Sequence, residues 1–189
     1  MVDGDDSSTL KNIRTTNVIQ LNSSKGRANQ MNVGASIANG EVLLFLHADT
    51  ILPDNAFEVI RRFCHDDIKA GAFDLSFSNK SLVFKVISLT ASIRSRITQL
   101  PYGDQAIFIQ KDIFQKIGQY ENISLMEDVN LMQKLKKSNY KIKIFSDKVI
   151  TSSRKWEDKG VVYTTLRNWI LISLYFLKID PNKLEKYYK

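Results

Sequence analysis

The chain has 189 residues, 43% hydrophobic and 25% charged, which suits one soluble globular domain with a real core and leaves too little for two. Its single cysteine, Cys64, excludes an internal disulfide, and the acidic stretch Met1 to Asp6 lacks the basic and apolar character of a secretory leader, so a cytoplasmic location is expected. The net charge of +7 favours polyanions, anionic membrane surfaces or phosphorylated small molecules without choosing among them.

In chain order, Met1 to Thr9 combines a short apolar start with carboxylates, glycine and hydroxyls, the composition of a loop leaving a strand or of a frayed terminus. Val18 to Leu21 predicts a short strand. A helix follows from about Lys25 to Asn39, with Met31, Ala35 and Ala38 on one face and Gly40 as its stop. Lys25 and Arg27 stand at the N-terminus of that helix, where the macrodipole disfavours cations. Either they are solvated charges or an anion, such as a phosphate on the exposed backbone N–H groups, resolves the conflict.

Val42 to Leu46 is a continuous apolar run, as expected of a strand buried on both faces. His47 and Asp49 follow it. In an extended segment their side chains would project to the same side, at the strand end where open α/β sheets place ligands. A turn or helix cap beginning at Asp49 is the plainer reading.

Asp54 to Phe63 carries Phe57, Ile60 and Phe63 at helical spacing, and Ala72 to Ser78 alternates like a half-buried strand. Leu82 to Leu100 places Leu82, Val86, Leu89, Ile93, Ile97 and Leu100 on one stripe, so an amphipathic helix is expected, buried either in the core or on a membrane surface. Pro101-Tyr102-Gly103 predicts a turn into a strand from Gln105 to Gln110, with Asp104 at its mouth. A short helix from Asp112 to Ile117 and a longer one from Leu125 to about Ser138 come next, the latter opening on Glu127 and Asp128, which would suit the helix dipole by themselves. Lys141 to Phe145 and Lys148 to Ser152 read as the two arms of a hairpin. Arg154 and Trp156 then offer a phosphate clamp and a stacking ring, or a plain surface anchor. Val161 to Ile179 is the last long helix, interrupted by Arg167, Asn168 and Lys178, so it is expected to pack or lie on a membrane surface, not to span one.

Four segments, in order and over nearly the whole chain, resemble the family-2 glycosyltransferases of the GT-A fold, and in particular a bacterial subgroup of transferases associated with radical-SAM and selenium-related proteins. They are V-D-G-D-D-S-S, then G-R-A-N-Q-M-N-V-G-A with V-L-L-F-L-H-A-D-T, then P-Y-G-D-Q-A-I-F with L-M-E-D-V-N-L, and S-S-R-K-W-E. The resemblance implies a Rossmann-like mixed sheet flanked by helices, a UDP- or GDP-type sugar donor, Mn²⁺ or Mg²⁺, and an inverting displacement. It implies a metal site at Asp49, the second acid of the family's D-x-D motif, with His47 in place of the first. Asp3 falls on the nucleoside contact, Arg27 on a basic residue facing the donor, and Asp128 on the general base, with Glu127 beside it. Arg154 and Trp156 fall on a shortened arginine-tryptophan motif of the donor and acceptor site, and Asp104 is the candidate acceptor contact.

Against the family pattern, the apolar strand, loop and helix ahead of V-D-G are absent, so an N-terminally truncated chain is expected, with an open sheet edge that invites self-association. A nucleotide-binding remnant without turnover is therefore the alternative to an active glycosyltransferase. Nucleic-acid binding is not expected, since no basic stripe carries interleaved aromatics.

Overall fold

The computed structural model describes residues 2–3, 17–65 and 67–188, with the backbone alone at Val2, Asp3, Cys64 and His65. The strands are β1 (Val2–Asp3), β2 (Leu21–Asn22), β3 (Val42–Leu44), β4 (Thr50–Ile51), β5 (Ala70–Phe77), β6 (Phe108–Gln110) and β7 (Ile142–Thr151). The helices are α1 (Arg27–Ile37), α2 (Ala56–His65), α3 (Leu82–Thr98), α4 (Lys111–Lys116), α5 (Glu127–Lys137), α6 (Arg154–Lys159), α7 (Val161–Phe176) and α8 (Pro181–Tyr188).

Five strands form a mixed sheet in the order β3-β6-β5-β7-β4, in which only the β5–β7 pair is parallel. A separate two-stranded parallel ribbon, β1-β2, lies against α1. The sheet is buried on both faces, as side-chain alternation along its inner strands requires. Ile107 and Ile109 join a core with Ala28 of α1, Phe114 of α4 and Leu131 of α5. Phe108, between them, points to the opposite core with Phe63 of α2 and Phe84 of α3. Gly71 makes that arrangement possible, because a Cβ there would stand 2.6 Å from Phe108 Cζ.

Several expectations are corrected. The strand expected over Val42 to Leu46 is shorter and lies at the edge of the five-stranded sheet, so Leu46 is exposed. The strand expected to be half-buried, at Ala72 to Ser78, is buried nearly throughout because β6 and β7 flank it and helices cover it. One strand, β7 (Ile142–Thr151), stands where a hairpin of Lys141 to Phe145 and Lys148 to Ser152 is expected. Its register against β5 slips between Phe73↔Phe145 and Asp74↔Lys148, so Ser146 and Asp147 bulge out of the ladder instead of turning the chain. Asn55 Nδ2 donates to Asp147 Oδ1 at 2.6 Å and holds the bulge. The predicted strand over Gln105 to Gln110 begins later, after a 3₁₀ turn at Gly103–Gln105.

Candidate active site

The site forms where the loops after β3 and α3 meet the N-termini of α1 and α5. Gln105 fixes the first wall. Its Oε1 accepts from Ser95 Oγ at 2.6 Å and from the Tyr102 N–H at 3.2 Å, while its Nε2 donates to the Phe73 carbonyl at 2.9 Å. The 102–105 turn is thereby tied both to α3 and to β5. Arg94 of α3 lies 3.3 Å over the Tyr102 ring, which desolvates the guanidinium on one side and stiffens the same turn.

Asp128 is held by that turn. Gly103 N–H donates to its Oδ2 at 2.6 Å, and Val129 N–H to its Oδ1 at 2.7 Å. Glu127, the preceding residue, faces α1: Arg27 Nε approaches Glu127 Oε1 at 2.7 Å and Arg27 Nη2 donates to Oε2 at 3.2 Å. This two-pronged pair resolves the dipole conflict at the start of α1, so the anion opposite Arg27 is a protein carboxylate. The Glu127 side chain is 2% exposed and Arg27 37%, leaving part of the guanidinium open. Asn32 ties α1 to the loop ahead of α5 by exchanging hydrogen bonds with the Tyr120 backbone, at 2.9 and 3.1 Å.

Burial raises the pKa of two acids in this cluster. Burial, reinforced by Asp128 and opposed by Arg27, pushes Glu127 from 4.5 to about 7. Burial also raises Asp104, with Asp128 adding to the effect and His47, Arg94 and Arg27 working against it. Although burial disfavours its charge, the Arg27 guanidinium is held above its ordinary value by Glu127 and then Asp128. Several buried side-chain atoms among the described residues have no hydrogen-bond partner, and two of them, His47 Nε2 and Asp104 Oδ1, lie in this cluster. Buried polar atoms are seldom left unpaired, and two beside a carboxylate mark a place for a polar ligand.

A stability prediction follows from Glu127. Its folded pKa lies above its ordinary value, so between about pH 4.5 and about 7 the native state keeps a proton that the unfolded chain has released. The contribution is full below that window and is lost as pH rises through it. Relative to Glu127→Gln, the wild type is expected to lose up to about 3 kcal/mol across the window. Thermal melts of both proteins at several pH values measure this, and a Tm gap that does not change with pH would refute it.

The expected pairing of His47 and Asp49 on one side of an extended segment does not occur. The backbone turns there, with Thr50 N–H donating to the His47 carbonyl at 3.1 Å. His47 packs its Nε2 against Gly103, and Asp49 is exposed, with Thr50 Oγ1 at 3.5 Å from its Oδ1. His47, Asp104, Glu127, Asp128 and Arg27 thus come together, while Asp49 stands on the rim. Arg154 is exposed at the start of α6, close to Asp49 along the chain path because Ser152 N–H donates to the Asp49 carbonyl at 3.1 Å. Trp156 turns into the second core, edge-on to Phe77 at 4.9 Å. Asp3 sits in β1 beside Val2, and its side chain lies outside the described residues, as do Gly4 to Ser8 of the V-D-G-D-D-S-S segment. Arg94, Tyr102 and Tyr120 were not singled out from the sequence. Tyr120 is buried on Phe45 and Phe114, its hydroxyl has no partner, and burial with Asp128 and Glu127 raises its pKa well above the ordinary value.

Among the described residues no group of three or more His, Cys, Asp or Glu side chains is arranged to hold a metal ion. The exposed Asp49 carboxylate fits a different arrangement, in which one protein oxygen shares a hard cation with ligand phosphates. His47 Nε2, enclosed against Gly103, does not extend that set.

The mixed sheet flanked by helices, with this polar cluster at its edge, defines an α/β protein of the GT-A-like class. The chain belongs to glycosyl transferase family 2, whose model matches residues 5–121, well over half of the sequence. The match includes Arg27, His47, Asp49 and Asp104 and stops before Glu127, Asp128, Arg154 and Trp156. No curated protein matches the chain. Membership makes it a glycosyltransferase and implies a nucleotide-sugar donor in general terms.

Proposed function

We propose that this protein is an inverting glycosyltransferase that moves a sugar from a UDP- or GDP-type donor to an acceptor hydroxyl, with Asp128 as general base. The observation that carries this is the Asp128 carboxylate, fixed through both oxygens by the Gly103 and Val129 N–H groups beside the orphaned His47 Nε2 and Asp104 Oδ1. Each oxygen keeps a free lone pair, so a carboxylate held this way can still accept a proton. The acceptor oxygen attacks the anomeric carbon opposite the nucleotide, the bond to the donor phosphate breaks, and Asp128 takes the hydroxyl proton.

The other residues have supporting roles in this reading. Asp104, with its raised pKa and unpaired oxygen, binds an acceptor hydroxyl. The exposed part of Arg27 faces the donor while Glu127 orients it. Asp49 would hold Mn²⁺ or Mg²⁺ at the donor site, where the cation would supply charge neutralisation for the leaving group. Arg154, exposed near the same rim, binds the donor; Trp156 supports it from the core, and Asp3 contacts the nucleoside.

Calorimetric titration with UDP, with and without Mn²⁺, tests the donor site. Metal-dependent binding that Asp49→Ala weakens at least about 10-fold is expected, the loss of one charged ligand to a phosphate-bound cation. Binding unaffected by both metal and Asp49→Ala would overturn the assignment.

A further inference from the structure

Two helices turn apolar faces to solvent. On α3, Leu82, Val86, Leu89, Ile93 and Ile97 are all exposed, Leu82 and Ile97 by 77% and 78%, although helical geometry places them on one stripe. On α7 the outward face is Val162, Leu166, Trp169, Ile170 and Phe176, with Trp169 60% exposed. The N-terminal ends of the two helices share one part of the fold: Phe77 touches Phe84 of α3 at 5.1 Å and Trp156, just ahead of α7, at 4.9 Å. Among the described residues no helix is long and apolar enough to cross a membrane.

Charge distribution says what covers these faces. Between Asp74 and Asp104 the sequence has no acid and four cations, Lys80, Lys85, Arg94 and Arg96. From Lys159 to Ile179 it has no acid and three cations, Lys159, Arg167 and Lys178. These seven account for the whole net charge of +7, since the remaining 20 Lys and Arg residues equal the 20 Asp and Glu residues. Of the seven, Lys80, Lys85, Arg96, Lys159 and Lys178 are exposed, whereas Arg94 stacks on Tyr102 and Arg167 is buried, so the surface excess of positive charge borders the apolar face of α3 above all. Beside α3 a cavity of about 130 Å³ opens, lined by Lys80, Lys85, Arg96 and Lys148 and by one acid, Asp74, which Arg96 pairs at 2.8 Å. An apolar helix face bordered by cations is the pattern of a helix lying in an anionic lipid interface, with acyl chains under the stripe and headgroup phosphates at the basic flank.

We infer that α3 and α7 form a docking surface for an anionic lipid bilayer, with the Lys80, Lys85 and Lys148 cavity receiving headgroup phosphates. The inference rests on these helices and the cavity beside α3 and is independent of the donor chemistry. Because Arg94 and Ser95 of α3 also hold the 102–105 turn, the docked face and the proposed active site share one helix.

The test is co-sedimentation of the full chain with large vesicles, either phosphatidylcholine alone or phosphatidylcholine mixed with phosphatidylglycerol, at low and high salt. Binding to the anionic vesicles at least 10-fold stronger than to neutral ones, and weakened by salt, is expected. Trp169 emission should shift to the blue on binding, while Trp156 is already enclosed. Two surface variants, Leu89→Glu with Ile93→Glu and Lys80→Glu with Lys85→Glu, should each cut binding at least 10-fold with an unchanged circular dichroism spectrum. The charge pair alters no core residue, so it keeps the test informative if the apolar pair fails to fold. Failure of the wild type to sediment with anionic vesicles at low salt overturns the proposal. So does equal binding to neutral vesicles, or a stable dimer in sedimentation velocity that buries Trp169.

Discussion

Asp128→Asn is expected to lower transfer, or donor hydrolysis in the absence of acceptor, by about 10²- to 10⁴-fold while leaving UDP binding within a few-fold of the wild type. The substitution keeps the size of the side chain and removes its basicity. Its structural cost is calculable from the neighbours. The carboxylate receives N–H bonds on both oxygens, from Gly103 at 2.6 Å and Val129 at 2.7 Å. An amide has only one acceptor oxygen, so one of these donors loses its partner, at about 1–3 kcal/mol. Loss of a charge in the first turn of α5 adds about 0.3–1 kcal/mol. The variant should therefore melt several degrees lower and still be folded at assay temperature, so that kcat can be compared on native protein. A kcat within a few-fold of wild type would move the base elsewhere in the cluster, and Asp104 and Glu127, both with raised pKa, would be the groups to replace next.

How much of this was legible in the sequence depends on how far each signal reaches along the chain. The cations at the head of α1 could be flagged as electrostatically misplaced from Lys25-Gly26-Arg27 alone, but the partner that settles Arg27 lies 100 residues away, and no local rule names Glu127. The clustering of P-Y-G-D-Q with L-M-E-D came from the resemblance; the physical links, Gly103 N–H to Asp128 and Gln105 to Phe73, are tertiary. His47 and Asp49 were placed together by applying the two-residue strand period to a segment that leaves its strand at Leu44 and turns, so the period no longer holds. The stripe on α3 holds from Leu82 to Ile97, but the helix ends at Thr98 and Leu100 turns into the core. The exposure of the stripe could not be read, since periodicity shows that a face is apolar and not what covers it. The hairpin was misjudged because Ser146-Asp147 has turn composition, whereas the bulge there is stabilised by Asn55 from α2's approach. Helix α8 did carry a usable local signal: Asp180 Oδ1 accepts the Asn182 N–H at 2.9 Å and Pro181 occupies the first helical position, the expected chemistry of a helix start.

Gly103→Ala is expected to lower activity about 10²-fold with a modest loss of stability, and the reason is local. The φ of Gly103 is not in the left-handed region, so alanine meets no backbone strain there. Its methyl would, however, stand 2.6 Å from His47 Nε2, 2.8 Å from His47 Cε1 and 3.4 Å from Asp128 Oδ2. The first two approaches are closer than real Cβ contacts, so either the imidazole rotates away or the 102–105 turn retreats. Retreat of the turn breaks the N–H bond that aims Asp128, and a displacement of about 1 Å at a reacting group costs about 10²-fold. Overpacking of this size destabilises by about 1–3 kcal/mol. Removing the imidazole distinguishes the two responses. In a cycle of Gly103→Ala, His47→Ala and the double variant, the double variant should be more stable than the sum of the single effects by about 0.5–3 kcal/mol, because the methyl then occupies space the ring has left. Gly40→Ala, whose methyl would meet only the Val42 carbonyl oxygen at 3.4 Å, serves as the control and should change stability by less than about 0.5 kcal/mol. Additive stabilities in the cycle would show that the methyl and the imidazole do not compete for space, and that His47 is not the wall against which Gly103 and Asp128 are positioned.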